Sequence, residues 1–381
     1  MKILSVVGAR PNFMKIAPFI KAINNYNTAN NKERPIEHML IHTGQHYDDR
    51  MSDVFFKPLD IPRPDFNLEI GSGSHAYQVG NTMIEFEKLL LKEMPDWIVV
   101  VGDVNATLAC SVTAKKLHIK VCHIEAGLRS GDMKMPEEIN RLVTDRLADL
   151  LLTPDKISTE NLIREGVQEE NIKFVGNIMI DTLLYNREKA TNLSINNIIE
   201  NNILDSQTFK YPDKGFTLIT MHRPSNVDDE HILKPIIQFL TRKVANDYPL
   251  IWPLHPRTKN QLAKYNLLDD LIKHEKIILL HPLGYHEMLK MNMEAQLVLT
   301  DSGGLQEECT VLKTPCITLR MNTERPVTLR KNGGASVLAG SNVENLEYEF
   351  NNIINDNIQI NIPELWDGKT AERCLKSLIE F

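Results

Sequence analysis

Cysteine is sparse. Five residues in 381 (Cys110, Cys122, Cys309, Cys316 and Cys374) form no Cys-x-x-Cys pair and no zinc-type spacing, and their odd number argues against a disulfide framework. A reducing cytoplasm is the expected location. Aromatic residues reach only 6%, and no apolar run approaches the roughly 18 residues that span a bilayer, so no membrane association is expected. Only the short, mostly apolar stretch 3–7 precedes Gly8-Ala9-Arg10-Pro11, too little for a secretion signal, so export is not expected either. A basic excess is also missing. Lys+Arg 43 against Asp+Glu 50 leaves a net charge of −7, which removes a general field for nucleic acid while leaving room for a local basic pocket. The chain lacks G-x-x-x-x-G-K-[ST], H-E-x-x-H and any D-x-D pair, the usual signatures of ATP, zinc and obligate magnesium. Gly71-Ser72-Gly73-Ser74 follows no apolar run and has no third glycine in register, so it reads as a flexible loop rather than a dinucleotide fingerprint. No nicotinamide, no other cofactor and no metal are expected.

What remains is a globular composition, 42% hydrophobic and 24% charged, with length for two domains. Short runs rich in Val, Ile and Leu alternate with helix-length amphipathic stretches, the pattern of buried parallel strands. In the first half they fall at 3–7, 39–42, 97–101, 121–124, 150–152 and 173–175. In the second half they fall at 216–220, 250–254, 277–280, 297–300, 316–319 and 335–338. The fold class expected is α/β, two doubly wound Rossmann-like domains. The polar, Asn-rich stretch 186–214 shows no strand pattern and leads out of one domain into the other, so the boundaries are 1–185 and 186–363. Residues 342–361 read as a packed surface helix, and 369–381 as a helix entered through the turn at 364–368.

Ligands of open α/β sheets bind beyond the carboxyl ends of the strands. In this chain those ends are polar: Gly8-Ala9-Arg10-Pro11 with Lys15 a helical turn on, Thr43-Gly44-Gln45-His46, Gly102-Asp103, and Glu125-Ala126-Gly127-Leu128-Arg129. The second half offers Met221-His222-Arg223, His255-Pro256-Arg257, Asp301-Ser302-Gly303-Gly304 and the stretch 320–325. Two such edges facing one another would enclose a cleft. Ser302-Gly303-Gly304 precedes an expected helix at 305–312, where small residues let backbone N–H groups approach a phosphate or diphosphate; taken alone, the motif more often marks a bland turn. Arg10, Lys15, His222 and Arg325 add donors, although surface ion pairs would use the same residue types. Asp103 and Glu125 end apolar strands, and Glu137 follows Pro136 at a helix start. Carboxylates with environment-split pKa values serve as general acid and base, whereas a strand-end turn and the helix macrodipole are the structural alternatives for Asp103 and Glu137.

With these residues in place the chain resembles the non-hydrolysing UDP-N-acetylglucosamine 2-epimerases over nearly its whole length. The match rests on Val7-Gly8-Ala9-Arg10-Pro11 with Lys15, His42-Thr43-Gly44-Gln45-His46-Tyr47, Gly102-Asp103 and His123-Ile124-Glu125-Ala126-Gly127-Leu128-Arg129-Ser130-Gly131-Asp132. It continues through Met135-Pro136-Glu137-Glu138-Ile139-Asn140-Arg141, His222-Arg223-Pro224-Ser225-Asn226, His255-Pro256-Arg257, Asp301-Ser302-Gly303-Gly304-Leu305-Gln306-Glu307-Glu308 and Thr323-Glu324-Arg325-Pro326, all in family order. The resemblance implies a glycosyltransferase-B-like fold whose C-terminal helix, 364–381, crosses back onto the first domain. It implies reversible conversion of UDP-GlcNAc to UDP-ManNAc for surface polysaccharide, through loss of UDP to a 2-acetamidoglucal and re-addition, in a cytoplasmic homodimer. By that likeness Asp103, Glu125, Glu137 and His222 are catalytic, Arg141 positions the sugar, and Arg10, Lys15, Ser302, Gly303, Glu308 and Arg325 hold the nucleotide, with Glu308 accepting from the ribose. Gln45, Glu138, Arg223 and His255 match positions that bind a second UDP-GlcNAc as activator in some relatives. Pro224-Ser225 departs from the acidic residue many relatives carry there. The alternatives are a hydrolysing 2-epimerase releasing ManNAc and UDP, and a 2-epimerase of a modified UDP-HexNAc.

Overall fold

The computed structural model describes residues 1–29, 35–44, 61–204, 207, 215–355 and 359–381. The chain forms two compact units, residues 1–185 with 364–381 and residues 186–363. In the first unit, β1 (Lys2–Val7), β2 (Glu37–His42), β3 (Phe66–Asn67), β4 (Trp97–Val101), β5 (Lys120–Ile124), β6 (Leu150–Thr153) and β7 (Ile172–Phe174) make one sheet in the order β3-β2-β1-β4-β5-β6-β7. Every pairing is parallel. In the second unit, β8 (Thr217–Thr220), β9 (Leu250–Pro253), β10 (Ile277–Leu280), β11 (Leu297–Thr300), β12 (Cys316–Thr318) and β13 (Ser336–Leu338) pair in the order β10-β9-β8-β11-β12-β13, again all parallel. Each expected strand is present within a residue or two. β3 is additional: Phe66 and Asn67 extend the edge beside Ile41 and His42.

Burial on both faces explains the continuous apolar strands. All five residues of Trp97–Val101 are buried, and Leu4, Val6, Ile98, Val100 and Phe86 share one core. In the second unit Trp252, Phe239, Leu346 and Phe350 pack together, which seats the helix Val343–Asn355 on its sheet. The Asn-rich stretch after residue 186 contains the helix Ile195–Asn202, whose Ile198 and Ile199 are buried. Gly71-Ser72-Gly73-Ser74 is irregular, and Ser74 ends it by accepting from the Tyr77 N–H as the cap of the helix His75–Glu93.

The terminal segment belongs to the first unit. Trp366 Nε1 donates to the Pro154 carbonyl at 2.9 Å, and Arg373 Nε donates to the Val175 carbonyl at 2.7 Å. The helix Thr370–Glu380 receives a carboxylate at its N-terminus: Asp181 accepts from the N–H groups of Thr370 (3.1 Å) and Ala371 (2.7 Å). No described helix is long and apolar enough to cross a membrane.

Candidate active site

Strand order reverses once in each sheet, between β1 and β4 in the first unit and between β8 and β11 in the second. Crevices beyond the carboxyl ends at such switch points are where open parallel sheets bind ligands.

At the first switch point Asn12 joins the two strand ends. Its Oδ1 accepts from the N–H groups of Gly8 (3.3 Å) and Ala9 (2.9 Å), and its Nδ2 donates to the Val101 carbonyl at 2.8 Å. Lys15, a turn further along the helix Arg10–Ala29, is buried and ion-paired with the equally buried Glu125. Losing either partner would strand a buried charge. Gly102 has φ +70°, and a Cβ there would stand 3.1 Å from Lys15 Nζ and 3.3 Å from Glu125 Oε2. The left-handed turn therefore favours glycine, and a side chain there would press on the pair. Glu125 itself adopts φ +75°, a left-handed backbone that costs a non-glycine residue on the order of 1 kcal/mol. Its N–H donates to the Leu152 carbonyl at 3.0 Å, tying the strained turn to β6.

Asp103 is partly exposed and ion-paired with the buried Arg141, on the helix Pro136–Leu147. Arg141 also donates to Glu138 Oε2, from Nε at 3.0 Å and Nη2 at 2.5 Å. Glu138, a candidate effector contact, is 2% exposed and accepts further from the Ser130 N–H and hydroxyl (both 3.0 Å) and the Gly131 N–H (2.9 Å). Burial pushes its carboxyl up, but these donors outweigh burial and hold it below the ordinary range. Its oxygens are thus spent within the chain, on Arg141 and the 130–131 turn. Glu137 sits exposed in the first turn of the same helix.

A histidine outside the candidate set completes the first site. His123 Nδ1 lies 2.6 Å from Asp145 Oδ1 and its Nε2 lies 2.9 Å from the Gly102 carbonyl. The ring thus bridges a carboxylate on one side and a backbone carbonyl on the other. Asp145 Oδ2 accepts from the Gly127 N–H at 3.0 Å and pairs with Arg129 Nη1 at 2.7 Å. Complete burial would raise the Asp145 carboxyl, and His123 and Arg129 more than reverse that, holding it low.

At the second switch point Asp301 bridges β11 to β8. Its Oδ2 accepts from the N–H groups of His222 (2.9 Å) and Arg223 (2.7 Å) and from Asn226 Nδ2 (3.1 Å), and its Oδ1 lies 2.9 Å from His222 Nδ1. Burial alone would raise the Asp301 carboxyl; His222 and the two backbone donors keep it below its usual value. Arg223 Nε donates to the Asp301 carbonyl at 3.0 Å, and the exposed His255 lies with its ring 5.3 Å from that of His222. His255 Nδ1 also accepts from the Arg257 N–H at 3.2 Å, capping the helix Pro256–Lys264.

Ser302 precedes the helix Gly303–Leu312 without capping it by its own side chain. A Cβ on Gly303 would come 2.8 Å from Arg325 Nη1 and 3.0 Å from Glu324 Oε1, so glycine admits the guanidinium to this helix N-terminus. Arg325 is held by Glu307 at 2.8 Å and by Glu324, which also pairs with Arg320 at 2.6 Å. Burial opposes ionisation of Glu324, and the two arginines overcome it and hold the carboxyl far below the ordinary range. In the helix Gly303–Leu312, burial raises Glu308 to about 7, the charge of Glu307 adding to the rise while the neighbouring Asn292 and Tyr285 partly offset it.

The structure therefore gathers Lys15, Glu125, Asp103 and Arg141 in the first unit, and His222, Arg223, His255, Ser302, Gly303 and Arg325 in the second. Gln45 and the side chain of Arg10 lie outside the described residues. Among the described residues no cluster of three or more His, Cys, Asp or Glu could hold a metal ion.

Two Rossmann-like α/β units with polar residues collected at both switch points define an enzyme of the glycosyltransferase-B-like class. The sequence profile of the UDP-N-acetylglucosamine 2-epimerases matches residues 28–379, and the chain belongs to that family. It is 42% identical over 380 residues to the UDP-N-acetylglucosamine 2-epimerase of Methanocaldococcus jannaschii, covering 99% of each chain. It is 39% identical over 345 residues to the UDP-2,3-diacetamido-2,3-dideoxy-D-glucuronate 2-epimerase of Pseudomonas aeruginosa, covering 90% of this chain and 89% of that one. The crystal structure of the M. jannaschii enzyme in complex with UDP-GlcNAc and UDP superposes with a TM-score of 0.86 at 40% identity, over 100% of both chains. The Neisseria meningitidis enzyme bound to UDP-GlcNAc gives 0.83 at 28%, also over 100% of both.

Proposed function

We propose that this chain interconverts UDP-GlcNAc and UDP-ManNAc without hydrolysis, supplying UDP-ManNAc for surface polysaccharide. The observation that carries this is the pairing of two strand-end carboxylates, Asp103 and Glu125, each with a cation of its own unit. The sugar C2 hydrogen is not adjacent to a carbonyl, so inversion needs a detour. Removal of the C2 proton with cleavage of the C1–O bond gives a 2-acetamidoglucal and UDP. UDP then re-adds at C1 while C2 receives a proton on the opposite face, so no atom is gained or lost. Proton transfer of this kind requires positioned carboxylates, which Asp103 and Glu125 supply, with Glu137 and His222 as the further members of the set and Arg141 as orienter. The departing diphosphate requires preorganised donors. Arg10, Lys15, Ser302, Gly303 and Arg325 would provide them, while Glu308 accepts from the ribose. The similarity to a relative crystallised with UDP-GlcNAc and UDP supports the nucleotide sugar as substrate. Cytoplasmic location and a homodimer belong to the same proposal.

The test is incubation with UDP-GlcNAc in heavy water. UDP-ManNAc carrying deuterium at C2 is the expected product, and accumulation of free ManNAc with UDP would establish the hydrolysing alternative. The Pseudomonas relative, a 2-epimerase of a diacetamido-uronate, favours a second reading in which the sugar is modified. Comparing kcat/KM for the two nucleotide sugars decides between them.

A further inference from the structure

Asp103 and Glu125 end neighbouring strands, β4 and β5, and each projects from a turn with left-handed backbone: φ is +70° at Gly102, +75° at Glu125 and +83° at Gly127. At the non-glycine Glu125 such a backbone persists only where surrounding contacts fix it. We propose that the buried couple of His123 and Asp145 is the positioning device that fixes both turns. His123 holds the Gly102 carbonyl, one residue before Asp103. Asp145 holds the Gly127 N–H, two residues after Glu125, and pairs with Arg129 further along the same loop. The ring and the carboxylate meet at 2.6 Å, so one continuous chain of hydrogen bonds runs from the first turn to the second. Helix Pro136–Leu147 anchors it, since Arg141, which grips Asp103, and Asp145 are one turn apart on that helix. His123 and Asp145 are each nearly inaccessible to solvent, so they act through the turns and not on a ligand. The inference rests on the proposed reaction only for its kinetic consequence; the fixing of the turns stands apart from it.

Two substitutions separate the links. In His123→Asn the amide nitrogen takes the place of Nδ1 and keeps Asp145 while releasing the Gly102 carbonyl. In His123→Gln the amide nitrogen takes the place of Nε2 and keeps Gly102 while releasing Asp145. Misplacement of reacting groups by about 1 Å costs on the order of 10²-fold in rate. The expected result is a kcat for UDP-GlcNAc epimerisation lowered roughly that far in His123→Asn, with KM and calorimetric UDP binding little changed, and partial recovery in His123→Gln. Hydrogen exchange followed by mass spectrometry supplies the readout that needs no substrate: amides of 102–103 exchange at least about tenfold faster in His123→Asn, and those of 125–127 in His123→Gln, while peptides of the second unit keep their protection. Native protection in both turns overturns the proposal. So does a kcat loss matched by an equal loss of UDP binding, or by faster exchange throughout the chain. If the unsubstituted protein fails to epimerise UDP-GlcNAc, the proposed function falls, and the exchange experiment still decides the role of the couple.

Discussion

The two switch points solve opposite electrostatic problems with the same device. In the first unit the functional groups are acids held by bases: Glu125 by Lys15 and Asp103 by Arg141. In the second they are bases held by acids: His222 by Asp301, and Arg325 by Glu307 and Glu324. Each unit also has one polar side chain that laces the reversing strands together, Asn12 between β1 and β4 and Asp301 between β8 and β11. A carboxylate positioned beside a cation suits proton movement; a cation whose charge is already matched offers directed N–H groups to a diphosphate without a large field of its own. On the proposed reading the two proton-moving carboxylates lie in the first unit, while the diphosphate donors are divided between Lys15 there and Ser302, Gly303 and Arg325 in the second.

That division can be broken by substitution. The largest effect is expected at the acids: Asp103→Asn and Glu125→Gln each lower turnover by about 10²-fold or more, with UDP binding, measured by calorimetry, close to native. Equal losses in both quantities would erase the distinction. Next, Gly303→Ala sets a methyl group 2.8 Å from Arg325 Nη1 and is expected to weaken UDP binding on the order of tenfold, about 1.4 kcal/mol. A smaller effect concerns protons. Because Glu308 titrates near 7, its carboxylate form is lost below that pH, so KM for UDP-GlcNAc rises as the medium is acidified through 7, and Glu308→Gln flattens that profile. The sign for stability is the reverse. A carboxyl whose folded pKa lies above its unfolded value of about 4.5 binds more protons when folded, so its contribution is present below 4.5 and fades as pH rises through 7. Melting temperature should therefore shift in favour of Glu308→Gln at pH 8 relative to pH 5. Smallest is His255→Ala, which removes a helix cap worth about 1 kcal/mol and lowers Tm by a few degrees.

Much of this arrangement was legible in the sequence because buried parallel strands must be continuously apolar, and their polar punctuation then marks the carboxyl edge. Trp97–Val101 followed by Gly102-Asp103 shows both signals at once. Strand β3 was not legible, since Phe66 and Asn67 are too few to show a period and pair only because β2 presents an edge. The His123 and Asp145 couple escaped for another reason: its members lie 22 positions apart, and an acid in a helix reads as a solvated face. One signal was available. Glu138, Arg141 and Asp145 recur at helical spacing along one buried face of Pro136–Leu147, where a polar stripe needs partners. Glu138 shows another side of this: its place in a matching motif suggests a ligand contact, and nothing in the sequence signals that Ser130, Gly131 and Arg141 also hold its carboxylate.

The most direct measurement follows the sugar's C2 position by proton NMR while the enzyme turns over UDP-GlcNAc in deuterated buffer. Loss of the C2 proton signal in step with the appearance of UDP-ManNAc is the outcome this account predicts. Epimer formed with its original hydrogen retained would contradict it.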